Sequence, residues 1–190
     1  FHKASERKRI GLLNALGERV EDLVGLGSSL MSGFDPDGCD WSAGFVLQLI
    51  HKYDDNFIKN NLNCDDFSWF NAPSAVGIDY APLQRYLLKE SFEDADRFTS
   101  SKLRELAGEK AVKRGYVYFS EVESIPCVDL STLDKLWIVY SRGKFGFTVQ
   151  AKILDSLGGR YDKLWPRIGW KKDGIWTRYP KSFNWSIDAP

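Results

Sequence analysis

The side chains best suited to hold a ligand lie in the second half of the chain. Five of the seven tryptophans lie from position 137 onward, and between residues 160 and 181 seven cationic side chains stand against two anionic ones. Aromatic faces stack on flat groups, and arginine and lysine pair with carboxylates. The combination suits a flat ligand with acidic arms, although composition alone favours a simpler role for the tryptophans as core residues.

Residue patterns typical of catalysis are missing. The two histidines, His2 and His51, are far apart in the sequence, and neither lies near a cysteine or a G-x-S-x-G turn. A G-x-x-x-x-G-K-[ST] phosphate loop does not occur. The abundant carboxylates are typical of helix caps and solvated helix faces. We therefore expect a binding protein with no catalytic residues, not an enzyme.

The three cysteines, Cys39, Cys64 and Cys127, are widely spaced and form no C-x-x-C pair. Such spacing argues against a zinc site or a disulfide framework. We expect no metal site, and small buried thiols in a reducing compartment.

The stretch SRGKFGF at 141–147 tests a nucleic-acid function, because the RNA-recognition octamer has the form K/R-G-F/Y-G/A-F-V-x-F/Y. Aligning the phenylalanines puts Lys144 where the octamer requires glycine, and Thr148 where it requires valine. The formal net charge of the chain is also zero. The sequence therefore does not favour nucleic acid as a partner.

Apolar periodicity predicts a mostly α fold. Helical patterns cover residues 6–24 and 42–53, with Phe45, Leu49 and Tyr53 on one face of the second. The stretch 60–77 is polar and rich in turn residues. We predict two parts, a helical N-terminal extension with its linker at 1–77 and a second unit at 78–190. No apolar run approaches the roughly 20 residues of a membrane span.

Within the second unit, cap residues and glycines predict where the helices begin and end. Asp79, Ser91 and Asp129 each precede an apolar helical pattern and are suited to N-caps, and Gly108 suits a helix end. A further helix near 148–157 should close at the glycines that follow it. Period two appears only after position 169, around a Lys-Asp-Gly turn at 172–174 and again at 183–187, and it predicts one short C-terminal hairpin.

The segment 115–150 resembles the genomes-uncoupled (GUN) family of tetrapyrrole-binding proteins. Its core is the run D-L-x-T-L-D-x-L-W-x-x-Y-S-x-G-K-F-G-F-T-V-Q, from Asp129 to Gln150. Shorter pieces also fit the family, including Ala95-Asp96-x-x-Thr99 upstream and the W-x-x-Y from Trp176 to Tyr179 downstream. The resemblance covers about residues 78–190.

The resemblance implies a helical domain whose concave apolar surface binds protoporphyrin IX or magnesium-protoporphyrin, with a chlorophyll-type pigment as a further candidate. Such a protein stimulates magnesium chelatase in chlorophyll synthesis, with the large chelatase subunit as its partner. It is not itself an enzyme and requires no cofactor. The implied location is a plastid, in the stroma or associated with the thylakoid, or the cytoplasm of a cyanobacterium.

The resemblance also implies the site residues. Carried over by motif, the apolar surface or the packing behind it would use Trp137, Phe145, Phe147 and Trp170. The rim that pairs with the propionates of the pigment would use Arg142, Lys144, Arg160 and Arg167. Trp137 also lies on the apolar stripe of its helix, which favours a core position for it.

Two departures from the family pattern motivate an alternative. Ile153-Leu154 stands where the family usually has I-W, and the loop 157–168 is shorter than the family norm. The alternative hypothesis is a non-catalytic structural or accessory subunit that uses this domain to dock onto a photosynthetic membrane complex.

Overall fold

The computed structural model describes residues 4–54 and 68–190, and within them the fold is mostly α, as predicted. The N-terminal helices are α1 Glu6–Gly17, α2 Val20–Met31 and α3 Trp41–Tyr53. They are followed by α4 Ala81–Leu88, α5 Phe92–Ala107, α6 Glu109–Arg114, a 3-10 helix Phe119–Ser124, α7 Cys127–Tyr140, α8 Phe147–Ser156 and α9 Tyr161–Arg167. Strands β1 Lys171–Lys172 and β2 Ile175–Trp176 form the predicted short antiparallel hairpin.

Helix α7 lies at the centre of the fold and contacts α3, α4 and α8. Four of its apolar or aromatic side chains have no exposed surface: Leu133, Leu136, Val139 and Tyr140. They belong to one hydrophobic cluster that also contains Ala43 and Val46 of α3 and Leu83 and Leu87 of α4. The N-terminal helices therefore share a core with the second unit. The division at residue 77 stays a prediction.

Helix α3 crosses α7 at a contact that only glycine fits. A Cβ atom added to Gly44 would lie 2.1 Å from the carbonyl oxygen of Val139. One turn later, Gln48 Nε2 donates to the carbonyl oxygens of Leu87 (2.9 Å) and Tyr140 (2.8 Å). Both acceptors lie in the last turns of their helices, where carbonyls lack the usual intrahelical partner. The Leu87 carbonyl also accepts the backbone N–H of Glu90 at 3.1 Å. The contact thus fixes α3 against α4 and α7 together.

The buried surface of α3 is wider than the sequence pattern predicted. Of the predicted face through Phe45, Leu49 and Tyr53, Phe45 is buried and Leu49 partly buried, but the Tyr53 side chain is 52% exposed. The buried side chains include Val46, Leu47 and Ile50, because α3 is enclosed on several sides and carries more than one apolar stripe.

Asp129 is not the N-cap that the sequence suggested. Helix α7 begins at Cys127, so Asp129 lies in its first turn and is fully buried. Its Oδ1 accepts hydrogen bonds from the hydroxyls of Ser74 (2.5 Å) and Tyr80 (2.8 Å), and its Oδ2 accepts one from the Ala75 amide (3.0 Å). Burial alone would raise the pKa of Asp129, but these hydrogen bonds outweigh it and lower the pKa below its ordinary value.

Other sequence expectations were also wrong in detail. The stretch 157–168 is not a loop, since α9 occupies Tyr161–Arg167. The alternation at 183–187 does not form a strand, because this stretch folds as turns and bends. Cys39 and Cys127 are exposed free thiols and not buried ones, and Cys64 lies outside the described residues. No helix in the described part of the chain is long and apolar enough to cross a membrane.

Gly44→Ala should destabilise the protein by about 1–3 kcal/mol, because the new methyl group overlaps backbone that belongs to another helix. Gly11→Ala is a matched control, since a Cβ at Gly11 of α1 meets nothing within 4 Å. It should be neutral or should stabilise by up to about 1 kcal/mol through helix propensity. Urea denaturation measures both, and equal unfolding free energies for the two variants would contradict the close contact.

Asp129 should also contribute a pH-dependent part of the stability. A carboxyl group with a lowered pKa in the folded chain stabilises it above the unfolded pKa, and this contribution is lost as the pH falls through the folded pKa. Asp129→Asn should lower the unfolding free energy by about 1–3 kcal/mol at neutral pH. The difference from the wild type should shrink below about pH 4. A difference that stays constant from neutral pH to about pH 2 would contradict this role.

Candidate ligand-binding site: two cavities that meet at Phe147

Phe147, the first residue of α8, is held in place by the preceding helix. Gly146 adopts a φ of +139°, and a Cβ there would lie 2.6 Å from Oδ1 of Asp134. The same carboxylate oxygen accepts the backbone N–H of Thr148 at 3.1 Å. One buried carboxylate on α7 thereby fixes the start of α8. The Phe147 ring is 41% exposed and lines two cavities.

The first cavity, which we call the apolar cavity, has a volume of about 430 Å³. Its apolar walls come from α5, the segment before the 3-10 helix, the 3-10 helix and its end, α7 and α8. They consist of Leu103, Val117, Val122, Ile125, Leu130 and Phe147, with Ser131, Asp134 and Thr148 beside them. The volume lies within the range of about 300–1,000 Å³ that is typical of small-molecule sites.

Exposed apolar side chains surround this part of the chain. Phe119, on the 3-10 helix, is 89% exposed, and the neighbouring apolar side chains Val112, Tyr116, Tyr118 and Val122 are each about half exposed. Clustered exposed apolar groups mark binding surfaces on soluble proteins. We call this group the apolar rim.

The backbone beneath the apolar rim is firmly held. The guanidinium of Arg114 lies 4.7 Å from the ring centroid of Tyr116 and 4.1 Å from that of Tyr118, and it pairs with Glu121. Oε2 of Glu121 also accepts the backbone N–H of Tyr118 at 2.8 Å. This hydrogen bond and the paired arginine lower the pKa of Glu121. The charged pair therefore orders a segment whose apolar side chains face outward.

The second cavity, which we call the aromatic cavity, has a volume of about 590 Å³. It lies between α5, α7 and the start of α8 on one side and the hairpin with the C-terminal residues on the other. Nine aromatic side chains line it: Phe92, Trp137, Phe145, Phe147, Trp170, Trp176, Tyr179, Phe183 and Trp185. Among its lining residues the charged ones are Asp96 and Lys144.

The inner wall of the aromatic cavity continues into the hydrophobic core. The ring of Trp137 stacks on Phe92 with centroids 6.1 Å apart, and Phe145 meets Phe92 edge-on at 5.6 Å. Trp137 Nε1 donates to the hydroxyl of Thr99 at 2.9 Å. Trp137 is thus both a packing residue and a cavity residue.

The outer wall is an aromatic cluster of the C-terminal segment. Trp170 stacks on Trp165 at 5.5 Å, and Phe183 stacks on Trp185 at 5.6 Å. Two polar contacts attach this segment to the helices. The Tyr179 hydroxyl donates to Asp96 Oδ2 (2.9 Å), and Lys144 Nζ donates to the carbonyl oxygen of Ile187 (2.8 Å).

The structure brings together five of the residues that the resemblance implied. Lining the aromatic cavity are Trp137, Lys144, Phe145, Phe147 and Trp170. The three remaining predicted cations, Arg142, Arg160 and Arg167, line neither cavity.

The surroundings of these three cations explain their positions. The Arg142 guanidinium lies 3.9 Å from the ring centroid of Phe45 on α3 and 3.8 Å from Glu90. Arg160 precedes α9 and pairs with Asp162 at 2.9 Å, and Arg167 is an exposed residue at the end of the same helix.

The sequence reasoning missed most of the apolar cavity, namely Leu103, Val117, Val122, Ile125 and Leu130. The segment 116–125 follows neither a helical nor a strand period, so no pattern assigns its apolar side chains to a core. This lack of periodicity was the available signal for a binding surface, because apolar residues that follow no helical or strand period do not form the buried face of an ordinary helix or strand.

No group of three or more His, Cys, Asp or Glu side chains within residues 4–54 and 68–190 is arranged to hold a metal ion. The fold and the two cavities define a helical domain with sites of small-molecule size. The chain belongs to the GUN4-like family, whose family model matches residues 73–190.

Known relatives and solved structures agree with this membership. The chain is 40% identical to the Ycf53-like protein of Synechocystis sp. over its whole length, covering 82% of that relative. It is 35% identical to the tetrapyrrole-binding protein, chloroplastic, of Arabidopsis thaliana, over 56% of this chain and 43% of that relative. The structure of GUN4 from Chlamydomonas reinhardtii matches with a TM-score of 0.60 and 39% identity, over 63% of this chain and 78% of that one. The ligand-free GUN4 structure from Arabidopsis thaliana matches with a TM-score of 0.53 and 36% identity, over 59% and 78%.

Asp134→Ala should cost about 1 kcal/mol of stability, because the Thr148 N–H loses its acceptor at the start of α8. Asp155→Ala is a control on α8 itself, where the side chain is exposed, and it should change stability by less than about 0.5 kcal/mol. Urea denaturation measures both effects. Equal stability of the two variants would show that the Asp134 carboxylate does not fix the start of α8.

Proposed function

We propose that this protein binds a tetrapyrrole, and that the apolar cavity with its apolar rim holds the macrocycle. The observation that carries the proposal is the apolar cavity together with the exposed apolar side chains of the segment that lines it. Apolar walls from five segments line a volume of about 430 Å³, and Phe119, on the same 3-10 helix as the lining residue Val122, is 89% exposed. Family membership and the name of the Arabidopsis relative support the class of ligand.

The physical chemistry of the cavity fits such a ligand. A porphyrin has two large apolar faces, and burying them against Val117, Val122 and Phe147 releases water from both surfaces. The acidic arms of the pigment need contact with water or with cations. The apolar cavity can bury the faces of the macrocycle because apolar side chains dominate its lining.

The remaining predicted residues are proposed for two supporting roles. Trp137, Phe145 and Trp170 form the neighbouring aromatic walls, and Lys144 lies among them. Arg160 and Arg167 stand at the two ends of α9, which packs against α8. We propose these two exposed arginines as partners for pigment carboxylates that project beyond the cavity, and Arg142 as a third candidate.

Val122→Glu should weaken binding of protoporphyrin IX at least about tenfold, because a carboxylate replaces an apolar wall of the cavity. Val128→Glu is the matched control. That valine is 44% exposed on α7 but lines neither cavity, so its variant should bind as the wild type does. The shift of the porphyrin absorbance band during titration measures both affinities without relying on tryptophan.

Two further titrations locate the pigment and its arms. If Trp170→Ala weakens binding and Val122→Glu does not, the aromatic cavity and not the apolar one holds the macrocycle.

Comparison of protoporphyrin with its dimethyl ester tests whether the arginines pair with the carboxylates of the pigment. The free acid should bind more tightly to the wild type, and this advantage should disappear in the Arg160→Gln, Arg167→Gln double variant.

We propose further that the pigment-loaded protein stimulates magnesium chelatase through its large subunit, in a plastid or in the cytoplasm of a cyanobacterium. The family resemblance supports this function, and the Synechocystis and chloroplast relatives support the location. Addition of the protein to a reconstituted chelatase should raise the rate of magnesium insertion, and the Val122→Glu variant should not. No stimulation, together with fixed-stoichiometry co-purification with a photosynthetic complex, would favour the accessory-subunit hypothesis instead.

A further inference from the structure

The aromatic cavity contains a carboxylate that forms no ion pair with any cationic side chain in the described part of the chain. Asp96 Oδ2 accepts the hydroxyl hydrogen of Tyr179 at 2.9 Å. No ion pair joins Asp96 to a Lys, Arg or His among the residues that the structure describes, and its neighbour Arg97 pairs instead with Glu93 at 2.5 Å. Burial is the main cause that raises the pKa of Asp96, partly offset by the hydrogen bond from Tyr179. The group is therefore partly desolvated, and residues 4–54 and 68–190 provide no counterion for it.

Lys144 does not supply that counterion. Its side chain is exposed at the cavity, and its ammonium group donates to the carbonyl oxygen of Ile187 at 2.8 Å. It forms no ion pair with Asp96 within the described residues. A cation entering the cavity would therefore meet a carboxylate whose charge is not already neutralised.

The walls around Asp96 favour the same kind of ligand. Aromatic rings carry negative potential on their faces and attract ammonium and guanidinium groups within about 6 Å, most strongly where water is excluded. Besides Tyr179, the cavity offers Trp170, Phe183 and Trp185 on its outer wall, and Phe92 and Trp137 on its inner wall. Trp176 also lines the cavity, and Lys171 Nζ already lies 5.5 Å from its ring centroid. A neutral apolar ligand would contact these rings but would leave Asp96 desolvated and unpaired.

We propose that the aromatic cavity is a second binding site, separate from the apolar cavity, for an ammonium or guanidinium group on an apolar stem. The carboxylate of Asp96 would pair with the charge while the rings enclose the stem. A purely structural role would not require the negative charge of Asp96. Tyr179 needs only an acceptor oxygen to hold the C-terminal segment, and a neutral amide would provide one.

Choline and its uncharged isostere, in which a tert-butyl group replaces the trimethylammonium group, test the proposal directly. Binding is followed on the ¹⁵N-labelled protein by shifts of the tryptophan indole N–H signals. Choline should bind with a dissociation constant on the order of 1 mM, and the isostere at least about tenfold more weakly. Equal affinity for the two, or no indole shifts with choline at several times that concentration, would overturn the proposal.

Asp96→Asn keeps an oxygen for Tyr179 but removes the charge, so it should abolish the preference for choline over the isostere while the fold is retained. Glu93→Gln is the matched control, because Glu93 lies one turn earlier on α5 and already pairs with Arg97. It should leave the preference unchanged. An unchanged preference in Asp96→Asn would also overturn the proposal. If that variant does not fold, the comparison of choline with its isostere on the wild-type protein still tests the proposal.

The cation could belong to a free amine or to a lysine or arginine side chain of a partner. Titration with butylamine and with a lysine residue capped at both ends separates the two sources. Tighter binding of the capped lysine indicates a partner side chain, and tighter binding of butylamine indicates a free amine. The tetrapyrrole titrations with Val122→Glu do not depend on Asp96, so the two proposals can fail separately.

Discussion

The contact between α3 and α7 determines how the rest of the molecule is arranged. At Gly44 the backbone of α3 comes so close to the Val139 carbonyl that no side chain fits between them. Gln48 then ties the ends of α4 and α7 together through two carbonyl oxygens. With that end of α7 fixed, Asp134, farther back on the same helix, can hold the start of α8 and with it Phe147. The N-terminal helices thus support, through α7, the position of a cavity-lining residue at the start of α8.

The two cavities share Phe147 but differ in chemistry. The apolar cavity is lined by five aliphatic side chains and one ring, with Ser131, Asp134 and Thr148 beside them, whereas the aromatic cavity has nine rings and two charged groups. An apolar macrocycle gains most from the first, where few polar groups must be desolvated. A cation gains most from the second, where ring faces and a carboxylate act together. The two proposed sites would therefore select ligands of different charge.

The sequence predicted features that depend on neighbouring residues. It did not predict the positions of side chains whose partners lie in distant segments of the chain. Gly108 ends α5, and the Lys172-Asp173-Gly174 turn makes the hairpin, because these residues act on their own backbone. Asp129 was interpreted as a cap because its partners Ser74 and Tyr80 are about 50 positions away, where no local pattern connects them. The position of Arg142 also depends on a distant segment, because its ring partner Phe45 belongs to α3, and Arg142 lines neither cavity.

The aromatic motif residues show why core and site were hard to separate from the sequence. Trp137 lies on the apolar stripe of α7 and stacks on buried Phe92, which is typical of a core residue. The same side chain lines the aromatic cavity, and its indole N–H is satisfied by Thr99. A cavity wall in a domain of this size has little protein behind it, so the residues that line it must also pack into the core. A core position for Trp137 and a place in a binding site are therefore compatible, and only the neighbouring cavity distinguishes it from an ordinary core tryptophan.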